Sequence, residues 1–145
     1  MTKSLVTGAT GFVGSAIARA LLRRGHEVHV LVRQRREDLP NLKNLPLVIH
    51  RGDIQYPESL MAAMRGIDQV YHAAAVYQFF PWWKRKVTAI YKVNIDGTKN
   101  VLKSAKQSGI KRLVFTSSII TIGKESRRQF SDENTPLGAD QLQSH

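Results

Sequence analysis

The chain has 145 residues, of which 42% are hydrophobic and 23% are charged, and it contains no cysteine. This length and composition predict one globular domain with a sizeable core, and they exclude a disulfide framework, a thiol nucleophile and a cysteine metal site. No apolar run reaches the roughly 20 residues that a spanning helix needs, and no signal-peptide pattern follows Met1. We therefore expect a cytoplasmic protein and disfavour a membrane partner.

The net charge of +11 is the one unusual bulk property, and it indicates an anionic partner. The basic residues are scattered in small groups, which read RQRR at 33–36, KRK at 84–86 and RR at 127–128. No recognition-helix, RNA-binding or zinc-finger signature accompanies these groups. We interpret the charge as a solvated surface plus a phosphate-bearing cofactor, and we expect no nucleic-acid partner.

Strand and helix patterns alternate along the chain. Short apolar runs predict five strands, at 4–7, 27–32, 47–53, 69–75 and 111–118. The first predicted helix follows the first strand, and its apolar face is formed by Val13, Ala16, Ile17, Ala20 and Leu21. A short helix is predicted at 58–66. A long one is predicted from about 87 to 107, with one side formed by Ile90, Val93, Gly97, Val101, Leu102 and Ala105.

The spacing of these elements predicts the fold class. Gly25, Gly66 and Gly109 stand where three helices should end, and the polar residues 33–46 form a loop with room for one helical turn. The strands are apolar enough to be buried on both faces. Together with the strict alternation, this pattern predicts an α/β protein with a doubly wound parallel sheet covered by helices.

The sequence TGATGFVG places Gly8, Gly11 and Gly14 at three-residue intervals between the first strand and the first helix. Three glycines can be ordinary turn residues. Between a strand and an amphipathic helix, however, they permit a tight turn and a close approach of the backbone to a pyrophosphate. The amides at the start of the helix then face the phosphates. The motif therefore predicts dinucleotide binding.

The GxxGxxG spacing of TGATGFVG resembles the extended short-chain dehydrogenase/reductase superfamily, which includes the NAD-dependent epimerase/dehydratase family. Four further motifs agree with it in order: GD at 52–53, HAAA at 72–75, VNIDGTKNVLKSA at 93–105 and FTSS at 115–118. The last two look most like dihydroflavonol-reductase-like proteins and hopanoid-associated sugar epimerases. The resemblance implies one Rossmann-like NAD(P)-binding domain over residues 1–145, and a homodimer is compatible with it.

The resemblance also implies contacts with the cofactor. The residues expected to cradle the pyrophosphate are Gly8, Thr10, Gly11, Phe12, Val13 and Gly14. Asp53 and Ile54 are expected at the adenine, although a lone aspartate ahead of Pro57 is more often a cap of a helix or turn. Ala73, Ala74 and Ala75 are expected beside the ribose, with ordinary strand packing as the alternative.

Cofactor choice depends on the end of the second strand, where Arg33 stands 19 residues after Gly14. A carboxylate near this position would bind the 2′-hydroxyl of NAD, whereas an arginine accommodates the 2′-phosphate of NADP. Arg35 or Arg36 could assist, while Glu37 and Asp38 weaken the distinction. We expect NADP, and NAD stays open.

The resemblance gives Ser118 a catalytic role, in which its hydroxyl binds the oxygen of a carbonyl, alcohol or sugar substrate. A tyrosine with a lysine four residues later would be the general acid/base for hydride transfer. No YxxxK occurs in these 145 residues. We therefore interpret the chain as truncated before this pair, with the tail GADQLQSH leading toward the tyrosine, and we expect it to be inactive by itself.

Three other features have competing interpretations. Asn94 could support the lysine through water, as in related enzymes, or have a surface or helix-packing role. His72 could be a metal ligand or a base, but no second ligand stands at metal spacing, so a hydrogen-bonded strand-end histidine is favoured. The segment FFPWWKRK at 79–86 suits a membrane surface or, as we prefer, a loop lining the substrate pocket.

The sequence thus predicts an NADP-dependent reductase or epimerase of the extended short-chain type. A non-catalytic dinucleotide-binding module, acting as a redox sensor or scaffold, is the alternative. No metal site is expected.

Overall fold

The computed structural model describes residues 1–33, 39–77, 84–123 and 130–138, with only the backbone of 84–87. The chain divides into two compact units, Met1–Phe115 and Thr116–His145. Parts of several predictions lie outside the described residues: Arg35, Arg36, Glu37 and Asp38, the aromatic stretch 79–83, RR at 127–128 and the tail from 139 onward.

The first unit is built on a sheet of five parallel strands. They are β1 (Lys3–Thr7), β2 (Glu27–Val32), β3 (Leu47–Arg51), β4 (Gln69–His72) and β5 (Arg112–Phe115). Their order in the sheet is β3-β2-β1-β4-β5, and every neighbouring pair is parallel. The chain winds outward from β1 in one direction and then in the other, so the predicted doubly wound fold is confirmed. The order reverses between β1 and β4, which is where such sheets open a crevice.

Helices cover both faces of this sheet. They are α1 (Phe12–Arg23), α2 (Pro57–Ala63), α3 (Lys84–Tyr91) and α4 (Thr98–Gln107). A π-helical segment, Lys92–Gly97, joins α3 to α4, so the predicted long helix exists but contains a widened turn. The predicted helical turn in the 33–46 loop is a 3₁₀ helix at Pro40–Leu42. Gly25, Gly66 and Gly109 all have positive φ angles just beyond helix ends, as expected.

The core lies in two layers on opposite faces of the sheet. Because side chains alternate along a strand, Leu5 packs with α2 and α4 while its neighbour Val6 packs with α1. Both side chains have no exposed surface. Burial of each such side chain contributes about 1.5–3 kcal/mol to folding, so β1 anchors both layers.

Three predicted strands end earlier in the structure than in the sequence prediction. β3 ends at Arg51, β4 at His72 and β5 at Phe115, so GD, AAA and TSS lie in loops beyond the strands. β4 stops because β1 does: the amide of Ala73 makes the last ladder bond, to the carbonyl of Thr7 at 3.2 Å, and Gly8 then turns away with a φ of +74°.

Burial differs from the prediction at the sheet edges and on two helices. β1 and β2 are buried on both faces, whereas β3 and β5, which lie at the two edges of the described sheet, are partly exposed. On α1, the face toward the sheet is formed by Gly14, Ser15, Ala18 and Leu21, whereas the predicted Val13 and Ala16 are exposed. Close packing on the strand selects small residues there. On α4, Leu102 is 49% exposed while Val101 and Ala105 are buried.

The second unit contains a 3₁₀ helix, Ile119–Thr121, and a turn at Asp132. The Asp132 carboxylate accepts a hydrogen bond from the amide of Asn134 at 2.9 Å. This and neighbouring hydrogen bonds lower the pKa of Asp132. The amide of Gly123 donates to the carbonyl of Thr135 at 3.1 Å, which joins the two described stretches of this unit.

His72 ties the sheet to α4. Its Nδ1 lies 2.6 Å from the Thr7 hydroxyl and its Nε2 lies 2.9 Å from the Thr98 hydroxyl. Both ring nitrogens are therefore satisfied, as the favoured sequence interpretation expects. The imidazole also stacks on Phe115, with ring centroids 5.4 Å apart. Burial lowers the pKa of His72 to about 4, so the ring is neutral near pH 7.

This buried histidine predicts a loss of stability in acid. Between its unfolded pKa of about 6.5 and its folded pKa of about 4, the unfolded chain binds more protons, so the free energy of unfolding falls as the pH is lowered through this window. The fall attributable to His72 is on the order of 3 kcal/mol. Urea titrations at several pH values measure the fall, and the imidazole NMR resonance of His72 assigns it. Titration of that resonance near its unfolded value would contradict the account.

Candidate functional site

A cleft opens at the carboxyl edge of the sheet, at the point where the strand order reverses. Its walls are formed by the turn after β1, the ends of β2, β3 and β4, and the π-helical segment. The lining residues are Gly8, Thr10, Gly11, Leu31, Val32, Arg33, Gly52, Asp53, Ile54, Ala73, Ala74, Ala75, Val76 and Val93. Parallel strands that end together leave their loops around a common crevice, and this is where open α/β sheets bind ligands.

The glycine turn forms the floor of this cleft. It packs so closely on neighbouring backbone that a side chain at Gly8 or Gly14 would have no room. A Cβ atom on Gly8 would lie 2.5 Å from the amide nitrogen of Ala74 and 2.7 Å from the carbonyl oxygen of Ala73. A Cβ on Gly14 would meet the Gly8 carbonyl oxygen at 2.1 Å. Gly11 has only that same oxygen nearby, at 3.4 Å, so its surface is open. The turn therefore packs tightly on the segment after β4 and on α1, and it exposes its backbone at Gly11.

Helix α1 begins at this turn without a side-chain cap. Gly11 is its N-cap residue, no side chain caps the amides of the first turn, and that turn contains no acidic residue. Unpaired amides at a helix start attract anions. Phe12, Val13 and Gly14 are not among the lining residues, and the Phe12 side chain is 91% exposed. Any contribution of these three to a phosphate would come from their backbone amides.

Arg33 stands directly after β2 and lines the cleft with an exposed side chain. Its guanidinium is a permanent positive charge with several donors, so it can bind a phosphate. The structure thus brings the predicted cofactor-selecting residue to the same cleft as the glycine turn.

Asp53 and Ile54 form the opposite wall, after β3. Oδ1 of Asp53 accepts a hydrogen bond from the amide of Gln55 at 3.0 Å, so this side chain does cap a turn. The Ser59 hydroxyl donates to the Asp53 carbonyl at 2.7 Å and fixes the loop further. Ile54 is buried in the core and also lines the cleft. The turn cap and the predicted adenine contact are compatible, because a carboxylate accepts several hydrogen bonds.

Ala73, Ala74 and Ala75 continue β4 beyond its last ladder bond and line the cleft beside the glycine turn. Their small side chains leave room between the turn and the π-helical segment. Val76 follows them in the lining, and both its amide and its carbonyl bond to the Asn94 side chain at 2.8 Å. The Asn94 side chain is therefore half-buried against the segment after β4, and its water-mediated support of a lysine stays a prediction.

Several lining residues were missed by the sequence analysis. They are Leu31, Val32, Gly52, Val76 and Val93. All but Val93 lie within two positions of a predicted contact, so the ends of predicted parallel strands could have identified them.

The glycine turn is also held by hydrogen bonds that the sequence analysis did not predict. The side-chain Nδ2 of Asn41 donates to the Thr10 carbonyl at 2.9 Å, and the Arg19 guanidinium donates to the Asn41 backbone carbonyl at 2.6 Å.

Ser118 belongs to the second unit. It is exposed, and its hydroxyl accepts a hydrogen bond from the amide of Ile120 at 3.4 Å at the start of the 3₁₀ helix. Its carbonyl accepts from the Thr121 hydroxyl at 2.6 Å. The long first contact is weak, so it leaves the Ser118 hydroxyl able to bind another group. Its catalytic role stays a prediction.

Within 1–33, 39–77, 84–123 and 130–138, no group of three or more His, Cys, Asp or Glu side chains could hold a metal ion. Across the same parts of the chain, no helix has the length and apolar character needed to cross a membrane.

Comparison with known families identifies this architecture. The model of the NAD dependent epimerase/dehydratase family matches residues 4–143. The chain belongs to this family. Its five-stranded sheet with flanking helices is accordingly the Rossmann-like fold of the extended short-chain dehydrogenases/reductases.

Relatives in the family include reductases and epimerases. The chain is 41% identical over 130 residues to a putative dihydroflavonol 4-reductase of Synechocystis sp., covering 89% of this chain and 36% of that protein. It is 36% identical over 144 residues to a putative anthocyanidin reductase of Ginkgo biloba, covering 92% and 42%. Among solved structures, UDP-glucose 4-epimerase of Thermus thermophilus in complex with NAD has a TM-score of 0.77 at 30% identity, covering 94% and 44%. The chain thus spans less than half the length of these relatives.

The glycine turn gives a test of the packing at this site. Replacing Gly14 by alanine should help the helix by about 1 kcal/mol through propensity, yet the 2.1 Å approach to the Gly8 carbonyl should dominate. We expect Gly14→Ala to lower the free energy of unfolding by about 1–3 kcal/mol. Gly11→Ala is the matched control, because Gly11 has an allowed φ of −83° and no close neighbour. Equal stability of the two variants in urea titration would show that the turn does not pack as described.

Proposed function

We propose that the cleft binds NADP(H) and that the chain is the cofactor-binding part of a reductase or epimerase. One observation carries the proposal. A glycine turn, an uncapped helix start, an exposed arginine and a run of alanines converge on one crevice at the strand-order reversal. Membership of the NAD dependent epimerase/dehydratase family supports a dinucleotide as the ligand.

In this proposal each wall of the cleft takes one part of the cofactor. Gly8, Thr10 and Gly11, with the amides of Phe12, Val13 and Gly14, hold the pyrophosphate. Arg33 binds the 2′-phosphate. Asp53 and Ile54 contact the adenine, and Ala73, Ala74 and Ala75 lie beside the ribose toward the nicotinamide.

The chemistry follows from the family. A bound nicotinamide would accept or donate a hydride at the substrate carbon. Ser118 would hold the substrate oxygen by hydrogen bonding, but a serine without a matched base exchanges the hydroxyl proton slowly near neutral pH. General acid/base assistance is typically worth about 10²–10⁴-fold, and the YxxxK pair that would supply it is absent from this sequence. We therefore expect no oxidoreductase turnover from these 145 residues alone.

The substrate is proposed only by class. The reductase relatives favour a small-molecule carbonyl compound or alcohol, and the UDP-glucose 4-epimerase neighbour favours a sugar. A cytoplasmic location and a homodimer fit the proposal.

A non-catalytic dinucleotide-binding module is the second candidate, because the residues that line the cleft would bind a dinucleotide with or without catalysis. Reading the coding sequence beyond His145 separates the two. A tyrosine with a lysine four residues later, soon after that point, supports the enzyme, and a stop codon supports the module.

Cofactor preference tests the assignment of the cleft. NADP should bind more tightly than NAD, and Arg33→Ala should weaken NADP binding about 10- to 100-fold while leaving NAD nearly unchanged, because one charged contact to the 2′-phosphate is lost. Arg24→Ala removes an equal charge from the far end of α1 and serves as the control. Calorimetry showing equal affinities for both cofactors, or an NADP preference that survives Arg33→Ala, would refute the role of Arg33.

A further inference from the structure

The side chain of Asn94 binds both polar atoms of one peptide segment in the cleft wall. Its Oδ1 accepts from the amide of Val76 at 2.8 Å, and its Nδ2 donates to the carbonyl of the same residue at 2.8 Å. A primary amide carries the same donor and acceptor as a backbone peptide. Asn94 therefore pairs with Val76 as a neighbouring strand would.

This pairing occurs where the sheet no longer supports the wall. The ladder between β1 and β4 ends with the bond from the Ala73 amide to the Thr7 carbonyl, because Gly8 turns away from the sheet. Ala74, Ala75 and Val76 continue in loop conformation and line the cleft. The Asn94 side chain thus provides the hydrogen bonds that a neighbouring strand would make, three residues beyond the last ladder bond.

Asn94 lies in the π-helical segment, and the residues that follow it contact two more parts of the same cleft. The Thr98 hydroxyl bonds to His72, just before the alanines. The Asn100 side chain donates to the carbonyls of Ile54 and Gln55 at 3.2 and 3.1 Å, on the opposite wall. A Cβ on Gly97 would lie 2.7 Å from the end of the Ile54 side chain, so the helix also packs closely there. One helix therefore holds both walls.

Resting on the proposed function, we propose that Asn94 is a positioning residue for the nicotinamide half of the cofactor. By fixing Val76, it sets the path of Ala73, Ala74 and Ala75, and hence the width of the cleft beside the ribose. Asn100 holds the wall proposed to contact the adenine in the same way, through its hydrogen bonds to Ile54 and Gln55. The two asparagines thus act on different halves of one ligand.

The test compares a whole cofactor with its adenosine half. Binding of NADP⁺ and of adenosine 2′,5′-bisphosphate to the 145-residue chain is measured by calorimetry. Asn94→Ala should weaken NADP⁺ about 10-fold or more while the bisphosphate changes less than about twofold, because the bisphosphate does not reach the Ala73–Val76 wall. Asn100→Ala is the matched control, an asparagine of the same helix, and it should weaken both ligands.

A second variant keeps the volume of the side chain. In Asn94→Asp one carboxylate oxygen still accepts from the Val76 amide. The other oxygen replaces the amide donor, so it faces the Val76 carbonyl without a hydrogen bond and is repelled by it. Acidification protonates this carboxyl and restores a donor. The affinity ratio of NADP⁺ to the bisphosphate should therefore fall in Asn94→Asp at neutral pH and recover in acid, which a purely structural role would not produce.

The outcomes separate the two proposals. Equal weakening of both ligands by Asn94→Ala, or an unchanged NADP⁺ affinity, would overturn the positioning role and leave the proposed function standing. Failure of the wild-type chain to bind either ligand would overturn the proposed function and this inference with it. If Asn94→Ala does not fold, an affinity ratio for Asn94→Asp that stays at the wild-type value at every pH would overturn the role.

Discussion

Backbone packs directly on backbone where β1, α1 and the end of β4 meet, because Gly8 and Gly14 carry no side chains. A single Cβ at either position would come within 2.7 Å of main-chain atoms, a distance that real contacts do not reach. This close approach brings the uncapped start of α1, the turn and the alanine segment to one edge of the sheet. The shape of the cleft follows from it, and so does the direction in which the helix amides face.

Uncharged hydrogen-bonding side chains hold the walls of the cleft that the glycine turn shapes. Beyond the last ladder bond, side chains of the helix continue the pairing: Thr98 binds His72, Asn94 binds Val76 and Asn100 binds the loop after β3. Each of these buried or half-buried groups is satisfied, and burial keeps the imidazole uncharged near pH 7.

The sequence allowed the sheet, its order of elements and most of the cleft to be predicted, because apolar runs and glycine positions report on local backbone requirements. The sequence prediction was wrong at positions whose burial or strand pairing depends on contacts with other elements of the fold. Val13 and Ala16 fit a helical stripe, yet the strand surface admits only the smaller face around Gly14 and Ala18. The residues assigned beyond the observed ends of β3, β4 and β5 lie in loops; one further amide, of Gly52 after β3 and of Ala73 after β4, bonds to the neighbouring strand before the ladder stops. Asn94 could not be placed, because its partner Val76 lies 18 positions away and only the fold joins them.

The cleft at the carboxyl edge of the sheet is the proposed binding site for the dinucleotide of this family. Titration of NADP⁺ into the ¹⁵N-labelled chain, followed by amide NMR shifts, tests it most directly. The account predicts the largest shifts at Gly8, Gly11, Phe12, Val13 and Val76, and unchanged amides at Glu27 and His29, nearer the opposite end of β2. Largest shifts at that opposite edge, or small shifts spread evenly over the chain, would contradict it.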